Sequence, residues 1–414
     1  MKFIADFHIH SKYSRATSKA TDLENIDKWA KIKGVQLISC GDFTHPQWFK
    51  NLQDNLEPAE PGLFNLKGSS SGVKFILTTE ISCIYTKGGK VRKIHVVVFA
   101  PSLEAVEKIN QKLGSIGNIR SDGRPILGLD AKDLLKLVLE VSPECLFVPA
   151  HCLTPWFSIF GSKSGFDSIE ECFEEETKNI YAIESGLSAD PSMIWRIPDG
   201  RRVAIISNSD AHSPEKIGRE ANIFDTKMDY PSIIKAIKEK NPKEFLSTIE
   251  FYPEEGKYHY DGHRLCNVCM SPKESKSYSE LCPVCGRYLV IGVLNRAEKL
   301  ADKEEGFVPE NAIPFKNAVG LKKIIGEALG VGEISKKVKA EYEKMVSKYS
   351  EFDILLNVPI EDIKKIASER LAEGIRRARD GEVSIKPGCD GVFGEVRIFS
   401  EVEKQEAIRQ QKLL

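Results

Sequence analysis

Residues 2–10 read KFIADFHIH, and the fold turns on how that stretch is taken. As a strand with period two it puts Asp6, His8 and His10 on one face and Phe7 and Ile9 on the other. Two imidazoles on one face can share a metal ion. Outward from there to about residue 250, short β-rich runs alternate with helical stretches. They are a helix near Leu23 to Lys33, then VQLISC, KFILTTEISCIY, KIHVVVFA, CLFVPAHC, NIYAIE and RVAIISNSD. That alternation predicts βα units around a parallel sheet or barrel. Asp42 and His45, Glu80, His151, and Asp210 and His212 stand at or just beyond the ends of apolar runs, and His95 opens another. Strand ends on one side of a barrel converge, so ligands distant in sequence meet at its mouth. A lone histidine on an apolar strand is more often structural. So many imidazoles and carboxylates, however, cannot be desolvated together without a compensating cation, and divalent metals bridged by Glu80 and Asp210 satisfy them.

At about 150 residues per domain, 414 residues imply two or three domains. A hydrophobic share of 41% and a charged share of 29% describe a folded chain. Lys+Arg 59 against Asp+Glu 60 leaves a net charge of -1, so any binding to nucleic acid or an anionic surface must use local patches. No run reaches the ~18 apolar residues of a membrane helix, and Asp6, His8 and His10 interrupt the stretch a signal peptide would need, so a cytoplasmic protein without membrane contact is expected. The ten cysteines suit reduced thiols and a metal site better than a disulfide framework. There is no G-x-x-x-x-G-K-[ST] loop and no G-x-S-x-G elbow, which argues against an NTPase or a serine hydrolase.

The histidine and carboxylate set resembles the polymerase-and-histidinol-phosphatase (PHP) family in its H-x-H, Glu80, His95, His151 and D-A-H motifs. The resemblance spans roughly the first 250 residues. It implies an α/β fold, a PHP-type distorted (β/α)7 barrel, that hydrolyses phosphoesters with up to three metals. By it, His8 and His10 hold one ion, Glu80 bridges to a second held by His95 and His151, and Asp210 and His212 complete the catalytic cluster. One departure stands out: Asp42-Phe43 occupies a place where many members have Asp-His, and Ala16 a place where many have histidine. Asp42 or His45 is the expected substitute in the third site.

Beyond this module, expected at 1–252, Cys266-x2-Cys269 and Cys282-x2-Cys285 are separated by twelve residues and can supply four thiolates to one structural zinc, giving a small zinc-binding domain at 253–290. A redox dithiol is the competing reading. Residues 291–414 then read as a mainly helical domain. In it, Gly330 and Gly332 lie between two helical runs with Lys336 following, which looks like a helix-hairpin-helix DNA-binding turn or a plain glycine turn. Arg376 and Arg377 concentrate positive charge near a helix end, as a DNA contact or a solvated terminus.

A phosphoesterase module joined to a zinc knuckle and a basic helical region suits a polymeric phosphodiester better than a small monoester. With GDFTHP around Asp42, ESGLSADP around Glu184 and PGCDGVFGEVRIF near the C-terminus, nearly the whole chain is similar to the endonuclease Q family. That resemblance implies a DNA-repair endonuclease that nicks 5′ of deaminated bases (uracil, hypoxanthine, xanthine) and of abasic sites, using divalent zinc, manganese or magnesium. Trp156, Phe157 and Phe160 are candidates for stacking on an extruded base, or else plug the mouth as core. The alternatives are a PHP-family small-molecule phosphatase and a non-catalytic DNA-binding accessory protein. QQKLL at 410–414 could open a sliding-clamp box, but the aromatic positions that should follow are absent, so a clamp partner is unsupported.

Overall fold

A computed structural model describes residues 1–400, 402 and 403 of the chain. Residues 410–414, read above as a start of a clamp-binding box, lie outside the described residues. The strand Lys2–Asp6 pairs in parallel with Leu37–Ser39 on one side and antiparallel with Ala221–Asp225 on the other. Leu37–Ser39 runs parallel to Lys74–Lys87, and Ala221–Asp225 continues antiparallel into Phe245–Glu250. These belong to a mixed sheet of 11 strands, and Ala182–Glu184 and Ala204–Ile206 form a separate parallel pair.

The expected parallel arrangement gives way at several antiparallel pairings, of which one is instructive. Lys74–Lys87 and Lys90–Ala100 are not separate βα units but one long antiparallel hairpin. The cause is the Gly88-Gly89 dipeptide, whose φ values of 61° and 72° suit a two-residue turn that bulkier residues disfavour. In its register Glu80 faces Val97 and His95 faces Ser82, so a single element carries two of the expected ligands.

Side-chain alternation divides the interior. Phe3, Ala5, Phe7, Val97 and Phe99 enter one apolar cluster, whereas Ile4, Val96 and Val98 enter another. The Phe7 ring lies 5.3 Å from Phe99 and 5.9 Å from Phe224, which stacks on Phe245 at 4.7 Å. Each fully buried ring contributes about 1.5–3 kcal/mol, and this group holds the backbone one residue before His8. Outside the sheet, Leu23–Lys33 buries Leu23, Ile26 and Ala30 along one stripe, with Asp22 capping its first turn.

A third apolar cluster takes residues from Val319 onward, including Leu321, Ile324, Val338, Met345, Leu371 and Ile375. Residues 291–318, expected to open the helical domain, pack with the first module instead. Val293 and Ala297 enter its core, and Phe315–Asn317 adds a parallel strand beside Phe245–Glu250. The helical cluster sits against Leu23–Lys33 through Trp29 and Ile32, and Lys33 Nζ meets buried Glu351 at 2.7 Å. Among the described residues no helix is long and apolar enough to cross a membrane.

Candidate metal centre

Two groups of donor atoms meet at Glu80. His8, His10, Glu80 and Asp210 form the first, and Glu80, His95 and His151 the second. One carboxylate serves both. Glu80 Oε2 lies 3.1 Å from His10 Nε2 and 3.5 Å from His8 Nε2, while its Oε1 lies 2.7 Å from His95 Nδ1 and 3.1 Å from His151 Nε2. Asp210 Oδ1 closes the first group at 3.2 Å from His10 Nε2 and 3.7 Å from His8 Nε2. Ligands bound at about 2.0–2.1 Å around a tetrahedral ion stand roughly 3.4 Å apart, so the spacing fits a divalent cation. His8 Nε2, His10 Nε2 and Asp210 Oδ1 are buried without a hydrogen-bond partner, the state expected of atoms kept for a metal.

The rings are aimed by partners on their far sides. His8 Nδ1–H donates to Glu184 Oε1 at 3.0 Å, and His10 Nδ1–H to Asp42 Oδ1 at 2.9 Å, which leaves each Nε2 lone pair free for a cation. Glu184 also accepts from the His151 backbone N–H at 2.9 Å and from Asn208 Nδ2 at 2.8 Å. Asp6 accepts from the backbone N–H groups of Ser209 and Gly218, and Arg219 donates to the carbonyls of Ser209 and Asp210, so the loop bearing Asp210 is fastened from two sides. Asp42, His151 and Asp210 adopt φ of 46°, 30° and 46°, a left-handed backbone that non-glycine residues hold only where the surroundings enforce it.

Electrostatics follows the geometry. Burial disfavours the imidazolium of His8, but the carboxylates of Glu184 and Glu80 outweigh it and hold its pKa well above the ordinary histidine value. Burial prevails at His95 and pulls it down to about 4 despite Glu80. Burial alone would raise the Glu80 carboxyl, yet His95, Arg124 and His8 keep it well below the usual carboxylate range. A cation entering here replaces protons as the counter-charge.

Several expectations need correction. Asp42 is no substitute ligand: its Oδ2 accepts from the Ser11 backbone N–H, the Ser11 hydroxyl and the Ser14 hydroxyl, so its lone pairs are spent positioning His10. His45 joins neither group, since its Nε2–H donates to the Arg120 carbonyl and its ring stacks on Tyr13 at 4.4 Å. His212 also stays outside both groups, half-exposed at the mouth with its ring 4.5 Å from that of His10. Phe160 is wholly buried and belongs to the core. Phe157 packs on His95 at 4.6 Å, and Trp156 remains exposed beside Tyr258.

The expected four-cysteine group is assembled differently. Cys266, Cys282 and Cys285 gather with His263, while Cys269 is disulfide-bonded to Cys389. Strand alternation is the reason: in the hairpin of Asp261–His263 with Val268–Met270, Cys269 pairs with Gly262 and His263 with Val268, so Cys269 and His263 point to opposite faces. The DNA-contact expectations in the helices shift as well. Gly330, at φ 63°, closes Leu321–Leu329 by donating its N–H to the Glu327 and Gly326 carbonyls, so that amide is not offered to phosphate. Gly332 and Lys336 remain exposed. Arg376 pairs with Glu373, Asp380 and Glu382, and Arg377 with Glu373 and Glu403, so both are engaged internally.

Three residues outside the expected set also act here: Glu184, Arg124 and His263. Glu184 ends the apolar run NIYAIE just as Glu80 and His151 follow theirs, and His263 extends the knuckle to H-x2-C-x2-C, so both carried a usable signal. Arg124, on a polar loop, carried none.

The lesion-specific endonuclease PfuEndoQ from Pyrococcus furiosus superimposes with a TM-score of 0.86 at 33% identity, covering 98% of this chain and 97% of that one. The chain belongs to the endonuclease Q family. A second endonuclease Q, solved with a 27-mer duplex substrate carrying an abasic lesion at its active site, gives a TM-score of 0.84 at 34% identity, covering 97% of this chain and 98% of that one. An uncharacterized protein of Methanocaldococcus jannaschii, MJ0043, is 33% identical over 272 residues, which are 62% of this chain and 33% of that relative. The chain therefore spans about a third of that relative's length. The MJ0043 C-terminal domain family matches residues 320–382, the part built around the third apolar cluster.

Proposed function

We propose that this endonuclease Q family member is a DNA-repair enzyme that hydrolyses the phosphodiester bond 5′ of deaminated bases (uracil, hypoxanthine, xanthine) and of abasic sites. The carrying observation is the Glu80 carboxylate, whose two oxygens face two separate sets of buried histidines. His8, His10, Glu80 and Asp210 would hold one divalent ion, and Glu80, His95 and His151 another. Such ions, when bound, polarise a phosphoryl oxygen and bring a water toward a pKa of ~7. The protein's own part is to aim the imidazoles through Glu184 and Asp42, to keep the donors out of bulk water and to leave the mouth open beside Trp156. The mixed sheet and the separate strand pair are read together as one distorted barrel, with zinc at His263, Cys266, Cys282 and Cys285 fixing the knuckle beside it. An abasic duplex bound by a full-length relative supports DNA as the partner.

The test offers labelled duplexes carrying one uracil, one hypoxanthine, one abasic site or no lesion, with magnesium, manganese or zinc, or with chelator. A nick on the 5′ side of the lesion, dependent on metal, is expected. Equal cutting of the undamaged duplex would remove the repair assignment, and turnover of a phosphate monoester without any nicking would favour a small-molecule phosphatase.

A further inference from the structure

Arg124 is the cation nearest the donor atoms. Its Nη1–H donates at 2.9 Å to Glu80 Oε2, the oxygen that also faces His8 and His10. Among the described residues Glu80 is its only ion-pair partner, and its side chain is 26% exposed, so it is seated deeply but open to the mouth. One of its five N–H groups is spent on Glu80, leaving others in a planar fork that fits a phosphate.

The segment carrying Arg124 is built to hold it there. Asp122 Oδ1 accepts from the backbone N–H groups of Arg15 and Arg124, and Gly123 donates its N–H to the Tyr13 carbonyl while its own carbonyl accepts from Thr44 Oγ1. Gly123 approaches so closely that a Cβ there would stand 2.3 Å from Asp42 Oδ2 and 2.4 Å from Ser14 Oγ. The same Asp42 and Ser14 orient His10. Loop and donor set are thus fixed to one another, and the guanidinium keeps its place relative to the histidines.

We propose that Arg124 contacts the scissile phosphate, placing a permanent positive charge on a non-bridging oxygen beside the first donor group. Asp42 is fully used by protein donors and His45 lies away, so positive charge on that flank comes from a side chain. The charge is present before substrate arrives and needs no reorganisation as negative charge builds on phosphorus-bound oxygens. This inference rests on the DNA-nuclease reading.

The experiment uses a labelled duplex already nicked 5′ of an abasic-site analogue, bearing either a phosphate or a hydroxyl at the nick, with binding followed by anisotropy in manganese. Wild type, Arg124→Ala and Arg124→Lys are compared. Arg124→Ala is expected to bind the phosphate-bearing nick about tenfold more weakly than wild type, the hydroxyl-bearing nick equally well, and the same number of manganese ions per chain; Arg124→Lys recovers part of the loss. Equal weakening on both nicks, no weakening on either, or a lost manganese ion each overturns the proposal, the last by showing that Arg124 serves Glu80 alone. A wild-type chain that binds neither duplex overturns the DNA reading, and this inference with it, before any variant is compared.

Discussion

Glu80 and Glu184 occupy different layers of the same centre, and substitutions should separate them. Glu80→Gln removes the charge shared by both donor groups, so nicking is expected to fall at least about a thousandfold, the several kcal/mol of charge stabilisation that a metal supplies. Glu184→Gln keeps the shape and a hydrogen-bond partner for His8 Nδ1 but withdraws the carboxylate that fixes its tautomer. Affinity for manganese should then drop roughly 10–100-fold with the fold intact, as read by manganese titration beside far-ultraviolet circular dichroism. At this scale Glu80, His151 and Asp210 were legible because each follows an apolar run in the sequence, a position that also betrays Glu184. Asp42 was misassigned because the sequence shows a carboxylate near histidines but not the Ser11 and Ser14 donors that consume its oxygens. Arg124 gave no signal at all, since an arginine in a polar loop looks like any solvated cation.

Among the elements, the hairpin Lys74–Lys87 with Lys90–Ala100 matters most, because it delivers Glu80 and His95 in one register. A slip of one residue between the two strands would put Glu80 and His95 on opposite faces. The Gly-Gly turn that sets this register was visible in the sequence, yet the alternation of apolar runs suggested βα units and hid it. The knuckle gives a sharper test of what spacing alone can say. C-x2-C pairs announce zinc, but which face a cysteine occupies depends on the pairing of Asp261–His263 with Val268–Met270. Accordingly, His263→Ala should lower zinc content or affinity, whereas Cys269→Ser should leave one zinc per chain bound, both measured by mass spectrometry of the native protein. Zinc retained in the first variant and lost in the second would restore the four-cysteine site.

Across the whole molecule, stability should carry the signature of buried acids. Glu250 is bonded to Thr248, Ser185 and Ser207 inside the first module, and burial, reinforced by Asp190, pushes its carboxyl from 4.5 up to about 7. A carboxyl whose pKa rises on folding binds its proton more tightly in the fold. Its contribution is therefore complete below about 4.5, is lost as pH rises through about 7, and stays lost above that. The full swing is about 3–4 kcal/mol. Thermal unfolding of wild type should decline between pH 5 and pH 8 relative to Glu250→Gln, which keeps hydrogen-bonding capacity without the charge; parallel curves would refute the assignment. The module boundaries were less legible than the chemistry, because Val293, Ala297 and Phe315 rejoin the first module after the knuckle and no composition change marks their return.

The strand Lys2–Asp6, wedged between Leu37–Ser39 and Ala221–Asp225, has a consequence for synthesis. A polypeptide still threading from the ribosome presents His8 and His10 early, but Asp210 and the strand that completes the clamp arrive only after most of the module has been translated. Until then the first donor group stays incomplete on the growing chain, although Glu80, His95 and His151 are already present.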